Sequence, residues 1–559
     1  MMDSRTENMF MAETHLVENQ PPPLRDYNLY LQDQALREAV LREGAAWAEN
    51  ELSAFGKLTG SQELIELGFQ ANENKPVLHT HDNYGHRIDE VRFHPAYHHL
   101  MQISLQNGLH ASHWLDPKAG AQVARAAKCY LQNQVEAAHG CPVTMTSAVI
   151  PALLEQPDIA AQWMPKILAC DYDYRNIPVE QKQCITIGMA MTEKQGGSDV
   201  RANTLRAYPL TSGGPGQPYE LVGHKYFVSA PMSDAFLVLA QAPQGLSCFL
   251  LPRWRPDGSK NPMQIQRLKN KMGNVANASC ETELRGAWAV MIGGAGRGVA
   301  TILKMVTMTR FDCMIGSSAG MRQAVAQALH HCAYRTAFGK RLSEQPLMQN
   351  VLADLVIEHE AALALTMRIA SALDRSARSE SEKLLVRMGT AVGKYWICKR
   401  TPGHAYEAME CIGGSGVMED CIMPRLFRES PVNSIWEGSG NVQCLDMLRA
   451  MRRNQGSVET FMAEVQEAAG ADQRLDHYVA QLGRELTDLA DIEYRARGVV
   501  EKMALSLQGS LLVRHGNPVV ADAFCASRLT GETSGLVYGN LPRGVDCAAI
   551  IRRATPLLA

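Results

Sequence analysis

The spacing of apolar residues divides the chain into helical and strand-rich parts. From about residue 36 to residue 168 the spacing is mainly helical, and prolines break this region into short helices. The Ala-rich run that contains Ala121, Ala124 and Tyr130 is an example. The preceding polar stretch contains three consecutive prolines, so we predict an N-terminal arm over residues 1–35.

Short β-rich runs follow, separated by turns that contain glycine and proline. Their close spacing predicts a compact antiparallel β domain over residues 186–293. The runs are Tyr219–Ser229, Phe236–Ala240, Cys248–Leu251, Ile265–Leu268 and Ala287–Ile292.

The helical period returns after Gly298. Between residues 352 and 373 the apolar residues trace one stripe. The charged residues Asp354, Glu358 and Arg368 fall outside this stripe. Helix, then sheet, then helix indicates an α+β fold with the sheet as an inserted module. The predicted domains are an N-terminal helical domain (36–185), a middle β domain (186–293), a helical domain (294–450) and a C-terminal helical domain (451–559).

Composition and charge are those of a soluble globular protein. The chain has 559 residues, of which 46% are hydrophobic and 20% charged, and its formal net charge is -3. This balance gives no sign of a dominant polyanionic partner, so nucleic-acid binding would need a local patch. No apolar stretch is long enough to span a bilayer, and charged residues stand where a signal sequence would need apolar ones. The 14 cysteines include no CxxC pair, so we expect reduced thiols in a cytoplasmic protein.

Two short segments carry the most informative chemistry. Met191–Asp199 is a Gly-rich turn with hydroxyl and amide donors, suited to a flat cofactor with polar edges. Ile435–Asn441 places Glu437 between Trp436 and a Gly-Ser-Gly turn. Loss of water contacts there would raise the pKa of Glu437 and make it a general base near neutral pH. Together the segments predict dehydrogenation beside an activated carbonyl.

A structural interpretation of Glu437 is also open. The residue could lie in the first turn of a helix that Ser434 opens, where the helix dipole would stabilise its carboxylate.

Two other patterns mimic functional sites. Gly293–Gly298 resembles a dinucleotide fingerprint, but its spacing is wrong and no strand-helix-strand repeat surrounds it. The histidine-rich stretch between His79 and His99 has irregular spacing and lacks an HExxH or paired-cysteine motif. We therefore predict a sheet-to-helix turn and surface histidines, and no metal site.

Five segments, in order, resemble those of the acyl-CoA dehydrogenase family of flavoproteins. The resemblance runs from about residue 30 to 450. It implies an N-terminal helical domain, a middle antiparallel β domain and a four-helix-type bundle, here with an extra C-terminal helical domain. The matching segments are Met191–Asp199 and Gly223–Ser229 (flavin binding), Tyr334–Gly339 (diphosphate), Cys411–Gly416 (cofactor contact from a neighbouring subunit) and Trp436–Ser439 (catalytic base).

The resemblance implies FAD as cofactor and an acyl-CoA-like substrate. Glu437 would be the base that removes the α-proton, with Arg310 nearby as a second catalytic residue. Phe227 would stack near the isoalloxazine, Arg335 would clamp the diphosphate and Phe338 would pack beside the adenosine. The cofactor-binding residues implied are Met191, Thr192, Gly197, Ser198, Phe227, Val228, Ser229, Arg335, Phe338, Gly413, Gly414, Trp436, Gly438, Ser439 and Asn441.

Val91–Tyr97, Pro431–Asn441 and the extension after residue 450 resemble one bacterial branch of the family, which is induced by DNA alkylation. This implies a homotetramer, weak dehydrogenase activity and binding of double-stranded DNA through the C-terminal domain. From residue 451 onward there are 12 Lys and Arg against 13 Asp and Glu, although several arginines are neighbours. The candidate DNA-binding residues are Arg452, Arg453, Arg495, Arg497, Arg514, Arg552 and Arg553.

Two alternative functions use the same fold. One is a protein that mainly binds DNA, with a flavin that is structural or destroys alkylating agents. The other is an acyl-CoA oxidase or a nitroalkane-oxidising enzyme, which the oxygen reactivity of the reduced flavin would distinguish.

Overall fold

The structure is a computed structural model that describes residues 14–531, 535 and 537–558. The first 13 residues of the predicted N-terminal arm lie outside the described residues. Within the rest of the predicted arm, Leu24, Tyr27 and Tyr30 are buried in the helical core. From Leu24 onward this segment is therefore part of the packed body rather than a free linker.

The N-terminal region is helical, as predicted. Its longest helix, α6, is buried on nearly every side. Asp374 of the later bundle accepts a hydrogen bond from the backbone N–H of Gln122 at 2.7 Å, which satisfies one of the free donors at the start of α6. The helices are α1 (Gln34–Arg42), α2 (Glu49–Thr59), α3 (Gln62–Glu73), α4 (Pro95–Gln106), α5 (Ser112–Leu115), α6 (Ala121–Val135), α7 (Gly140–Ala148), α8 (Ile150–Leu153) and α9 (Pro157–Ile167).

One hairpin interrupts these helices, and the sequence analysis did not predict it. Strands β1 (Val77–His81) and β2 (Arg87–Arg92) pair antiparallel. At the turn, Asp82 Oδ1 accepts hydrogen bonds from the backbone N–H of Tyr84 and His86. The histidine-rich stretch begins on this hairpin, where polar residues hide the alternation that identifies a strand.

The middle region is a β barrel. Strand β5 pairs with β4 and β9, β9 with β7, and β7 with β6, and a single parallel pairing of β4 with β6 closes the ring. All five predicted runs are strands. The two short strands that were not predicted, β3 and β4, lie parallel to β6, so the sheet is not wholly antiparallel. The strands are β3 (Ile187–Ala190), β4 (Arg206–Pro209), β5 (Pro218–Ser229), β6 (Ala235–Ala242), β7 (Gly245–Pro252), β8 (Met263–Leu268) and β9 (Ser279–Ile292).

Both faces of the central strand β6 are buried. Phe236 and Val238 point into the barrel, while Leu237 and Leu239 pack against the helices outside it. Successive residues of a strand point to opposite faces, so the continuous apolar run of β6 fits a strand covered on both sides. This packing fixes the barrel against the first long helix of the bundle.

Three long helices form the centre of the bundle. They are α10 (Gly298–Tyr334), α11 (Pro346–Arg375) and α12 (Glu380–Ile412), and α13 (Met423–Glu429) and α14 (Gly440–Arg453) follow. A two-residue hairpin, β10 (Thr336–Ala337) with β11 (Lys340–Arg341), joins α10 to α11. Helix α10 crosses from the barrel into the bundle and is therefore buried along most of its length.

The C-terminal helices continue the core of the bundle. Phe461, Val500 and Phe524 belong to the same buried cluster as the bundle residues. The predicted boundary between residues 450 and 451 falls inside α14. The helices are α15 (Ser457–Gln466), α16 (Gln473–Thr487), α17 (Ile492–His515), α18 (Pro518–Arg528) and α19 (Cys547–Ala554).

The C-terminal helices cover charged residues of α11 that fall outside its apolar stripe. Asp354, Glu358 and Arg368 are 2%, 4% and 7% exposed. Each has an oppositely charged partner, and Arg368 contacts both Glu464 of α15 (2.6 Å) and Glu382 of α12 (2.9 Å). A charged residue on this helix is therefore not necessarily exposed to solvent, because ion pairs with other helices take the place of hydration.

We expect Arg368→Ala to destabilise the protein by about 1 to 3 kcal/mol, because it removes the buried cation that Glu464 and Glu382 share and leaves them only Arg514 and Arg375 as partners. The measurement is the midpoint of urea unfolding followed by circular dichroism. Lys383→Ala is the matched control: Lys383 pairs with Glu380 on the surface, where an ion pair contributes about 0 to 1 kcal/mol. Equal midpoints for the two variants would contradict this role of Arg368.

Candidate active site

A cavity of about 1160 Å³ lies between the barrel, α6, α7, α10 and the loop before α14. It is the main candidate site in the described part of the chain. The predicted site residues that line it are Met191, Thr192, Gly197, Ser198, Phe227, Ser229, Arg310, Arg453, Trp436, Glu437, Gly438 and Ser439. The cavity therefore brings together the two segments that the sequence analysis singled out.

Glu437 lies in a loop and not in a helix. A short 3-10 turn, Val432–Ser434, precedes it, and α14 begins only at Gly440. The backbone φ of Glu437 is 57°, in the left-handed region, which costs a residue with a side chain about 1 to 3 kcal/mol. The structural interpretation of Glu437, as a first-turn residue of a helix opened by Ser434, is therefore wrong.

A buried lysine holds this loop. Lys394 of α12 is 1% exposed, and its ammonium donates to the carbonyls of Asn433 (3.0 Å), Trp436 (2.9 Å) and Gly438 (2.9 Å). These three bonds use all the donors of the lysine. The carbonyls of the loop therefore point toward α12.

Arg310 also supports the loop through its backbone. Its Nε donates to the carbonyl oxygen of Glu437 at 2.8 Å, and its guanidinium pairs with Asp446 of α14 at 2.9 Å. Asp312, two residues further along α10, pairs with Arg125 of α6. Arg310 thus joins α10 to both sides of the loop.

The environment of Glu437 favours a carboxylate that is more basic than one in water. Burial raises the pKa of Glu437, while a hydrogen bond from Thr309 and the charges of Lys394 and Arg310 lower it in part. Thr309 Oγ1 donates to Glu437 Oε2 at 2.8 Å. A carboxylate with a raised pKa is a stronger base once ionised, as general-base catalysis requires.

The Gly-rich turn forms an edge of the cavity. A Cβ on Gly197 would lie 2.4 Å from Thr192 Oγ1, so only glycine allows the turn to fold back on Thr192. Glu193 anchors the turn through Lys225 (3.1 Å) and the backbone N–H of Thr204 (2.7 Å). Burial opposes the ionisation of Glu193, but these donors outweigh it and lower its pKa to about 2.

Several residues named by the resemblance lie away from the cavity. Val228 points into the barrel core, and Phe338, at the tip of the hairpin β10–β11, is 99% exposed. Arg335 donates to the backbone carbonyl of Asn19 at 2.7 Å. Gly413, Gly414 and Asn441 do not line the cavity either. Their predicted cofactor contacts, some across subunits, stay predictions.

Sequence reasoning missed Thr309 and Lys394. Thr309 has no signal except its place next to Arg310. Lys394 is a lone charge between the apolar positions of α12, and a lysine in such a stretch indicates either a buried partner or a site. Its partners are backbone carbonyls, which no side-chain pattern displays.

The candidate DNA-binding arginines differ in their ion pairs and in their exposure. Arg495, Arg514 and Arg553 are held in ion pairs with glutamates, and Arg497 donates to Asn441 at 2.8 Å. The exposed members are Arg452, Arg453, Arg497 and Arg552.

The described residues include no group of three or more side chains placed to hold a metal ion. Within the same ranges, none of the helices has the length and apolar character needed to cross a membrane.

Family comparisons cover most of the chain. Residues 19–174 match the N-terminal domain of the adaptive response protein AidB, residues 188–287 the acyl-CoA dehydrogenase middle domain, and residues 296–452 the acyl-CoA dehydrogenase C-terminal domain. The chain belongs to the acyl-CoA dehydrogenase family.

Within that family the chain is similar to AidB of Escherichia coli (strain K12), with 46% identity over 92% of this chain and 94% of the relative. Acyl-CoA dehydrogenase family member 11 of Caenorhabditis elegans is 29% identical over 87% of this chain and 83% of the relative. The crystal structure of C. elegans ACDH-11 in complex with C11-CoA matches with a TM-score of 0.84 and 26% identity, covering 100% of this chain and 96% of that chain. Butyryl-CoA dehydrogenase from Megasphaera elsdenii shares the fold, with a TM-score of 0.58 and 16% identity over 75% of this chain and 98% of that chain.

These comparisons confirm the predicted family and fold class. Acyl-CoA dehydrogenases are FAD-dependent oxidoreductases, so family membership also confirms the predicted cofactor and enzyme class.

Proposed function

We propose that this protein dehydrogenates an acyl-CoA thioester, with Glu437 as the base that removes the α-proton. The observation that carries the proposal is the position of Glu437: its carboxylate lies in a cavity whose opposite parts include the Gly-rich turn and Phe227. Residues from separate elements of the fold therefore surround one cavity, which is large enough to hold the reacting groups.

The residues of the cavity fit FAD. Thr192, Ser198 and Ser229 supply hydroxyl groups at its edge, and Phe227 supplies an aromatic face that is 46% exposed. The volume of about 1160 Å³ exceeds the roughly 300 to 1,000 Å³ of a pocket for one small ligand, as a cofactor and a substrate together require. FAD, when bound, supplies the acceptor for the β-hydride.

The chain itself supplies the proton transfer. Glu437 would take the α-proton as the Cα–H bond breaks, and with FAD as the acceptor of the β-hydride a Cα–Cβ double bond would remain in the thioester. Lys394 and Arg310 act on this step through the backbone, because they set the direction in which Glu437 points. They are positioning residues for the base.

Three exposed arginines on the lining of the cavity favour an anionic ligand. Arg201, Arg297 and Arg453 line the cavity and are exposed. Guanidinium groups suit phosphate recognition, and the phosphates of coenzyme A would contact them.

We expect Glu437→Gln to slow acyl-CoA-dependent bleaching of the flavin by about 10² to 10⁴-fold, since glutamine cannot accept the α-proton. Stopped-flow absorbance of the purified FAD-loaded protein measures this rate. Glu459→Gln, at an exposed position of α15, is the control and should bleach at the wild-type rate. Bleaching of the Glu437 variant at the wild-type rate would remove this residue from the role of base.

Thr309→Val should shift the pH dependence of bleaching to higher pH. The lost hydrogen bond stabilises the carboxylate form, so its removal raises the pKa of Glu437 further. The bleaching rate would then rise with pH along a curve displaced in that direction. Thr307→Val, whose hydroxyl contacts only the carbonyl of Leu303, is the matched control, and Thr309→Ser should restore the original curve. A Thr309→Val curve superimposable on the wild type counts against the assignment.

We also propose that the protein binds double-stranded DNA in protection against alkylation damage, and that it does so as a homotetramer. The resemblance to the alkylation-response branch supports this second role, and the exposed Arg452, Arg453 and Arg552 supply free cations. Exposed Phe338 and Leu347 support an assembly surface.

The double variant Arg452→Ala/Arg552→Ala should lower affinity for a duplex and reduce the slope of log affinity against log salt by about 2, because two DNA phosphates would no longer be neutralised. Fluorescence anisotropy with duplexes of unrelated sequence gives both quantities. Point variants are preferable to truncation, because the C-terminal helices share the core of the bundle. Arg206→Ala, on the barrel, is the control, and an unchanged slope in the double variant would misplace the DNA site.

A further inference from the structure

The cavity continues past Glu437 to a closed end. Residues along helix α10 give the length of the cavity. Arg297, just before the helix, lies at the exposed end of the cavity, and Thr309, further along the helix, contacts Glu437. Gly320, eleven residues beyond Thr309, still lines the cavity. At 1.5 Å per residue, the cavity extends about 16 Å past the base along this helix. Ser317, Thr401 and Ala405, which line the cavity near that end, are buried, and we call it the closed end.

A glycine keeps the passage to this end open. A Cβ on Gly316 would lie 3.3 Å from Nδ2 of Asn433 and 3.5 Å from Oδ1 of Asn133. Both are polar atoms from opposite walls, one on the loop that carries the base and the other on α6. The passage is therefore narrow and polar on both sides.

The closed end contains polar atoms without partners. Gln132 of α6 is 2% exposed, and neither its Nε2 nor its Oε1 has a hydrogen-bond partner among the described residues. Glu429 is 9% exposed, and its Oε1 also has no partner in the described ranges. Both side chains line the cavity. An unsatisfied buried polar group is destabilising, and a hydrocarbon chain would leave it unsatisfied.

Neighbouring polar groups already have partners. Glu136 accepts from the ring of His139 at 2.6 Å and from two backbone N–H groups. Lys271 donates to the carbonyl of Asn277 at 2.7 Å and to Ser279 Oγ at 3.3 Å, which uses two of its three donors. The free hydrogen-bonding capacity of the closed end therefore belongs to Gln132, Glu429 and the third donor of Lys271.

The side chains of Gln132 and Glu429 suit a neutral group that both donates and accepts. The amide of Gln132 offers one donor and one acceptor, which a hydroxyl or an amide can match together. The ionised carboxyl of Glu136 disfavours a carboxylate. Burial and the charge of Glu136 raise the pKa of Glu429 to about 8, so it mainly holds its proton at neutral pH.

We propose that the closed end of the cavity binds a hydroxyl or amide group at the far end of the acyl chain, so that the preferred substrates are acyl thioesters with a polar, uncharged tail. This inference rests on the proposed function, which places the thioester beside Glu437. Gln132 and Glu429 would then set specificity without touching the reacting atoms.

The test compares saturated acyl-CoA pairs of equal chain length that end in a methyl or a hydroxyl group, over a series of lengths. Two readouts are taken on the FAD-loaded protein: the rate of flavin bleaching, and the rise in melting temperature on binding, which needs no turnover. At the length that reaches the closed end, we expect the hydroxyl compound to be favoured about tenfold or more in both affinity and kcat/KM.

Gln132→Leu should abolish this preference and improve the methyl-ended compound. Glu429→Met should also reduce the preference for the hydroxyl-ended compound. It provides the test if the Gln132 variant does not fold. Gln134→Leu is the matched control, since Gln134 is equally buried on α6 but does not line the cavity. A preference that survives in the Gln132 and Glu429 variants overturns the assignment.

The outcomes separate the two proposals. Bleaching by both compounds without discrimination overturns the polar-tail inference and leaves the proposed function standing. A melting-temperature preference for the hydroxyl compound without any bleaching supports the polar subsite and overturns the proposed reaction. If neither compound shifts the melting temperature, both proposals are overturned.

Discussion

The candidate site depends on one buried cation. Lys394 lies inside the bundle, where an ammonium is stable only if each of its donors finds an acceptor. Three carbonyls of the loop between residues 433 and 438 meet this requirement. With its carbonyls turned toward α12, the loop adopts the left-handed conformation at Glu437 and presents that carboxyl to the cavity. The strain of one residue is thus offset by the satisfaction of a buried charge.

The remainder of the architecture keeps this arrangement in place. Helix α10 contacts the barrel at one end, the loop that carries Glu437 in the middle, and the N-terminal helices further on. Arg310 links it to α14, and Arg125 of α6 pairs with Asp312, two residues further along the same helix. Barrel, N-terminal helices and loop therefore meet along one rigid element, and the cavity is the space that remains between them.

Local pattern was a good guide where it was strong. The five alternating or apolar runs are strands, and the Gly-rich turn and the segment around Glu437 do line one cavity. It was a poor guide where elements were short or polar: β3 and β4 have four residues each, and the hairpin β1–β2 is largely polar. The charged side of α11 shows a different limit. The helical periodicity of the sequence shows which residues lie outside the apolar stripe. It does not show whether other helices pack over those residues.

Short segments of the chain were enough to establish the family, the order of the regions and two segments that line one cavity, because the residues of each segment are neighbours in sequence. The groups that surround Glu437 became known only from the packing of the helices. Thr309, Lys394 and Gln132 come from three helices far apart in sequence, and their relation to Glu437 arises from packing rather than from periodicity. The conformation of the loop could not be predicted from the sequence either, because the contacts that hold it involve backbone carbonyls, which a pattern of side chains does not show.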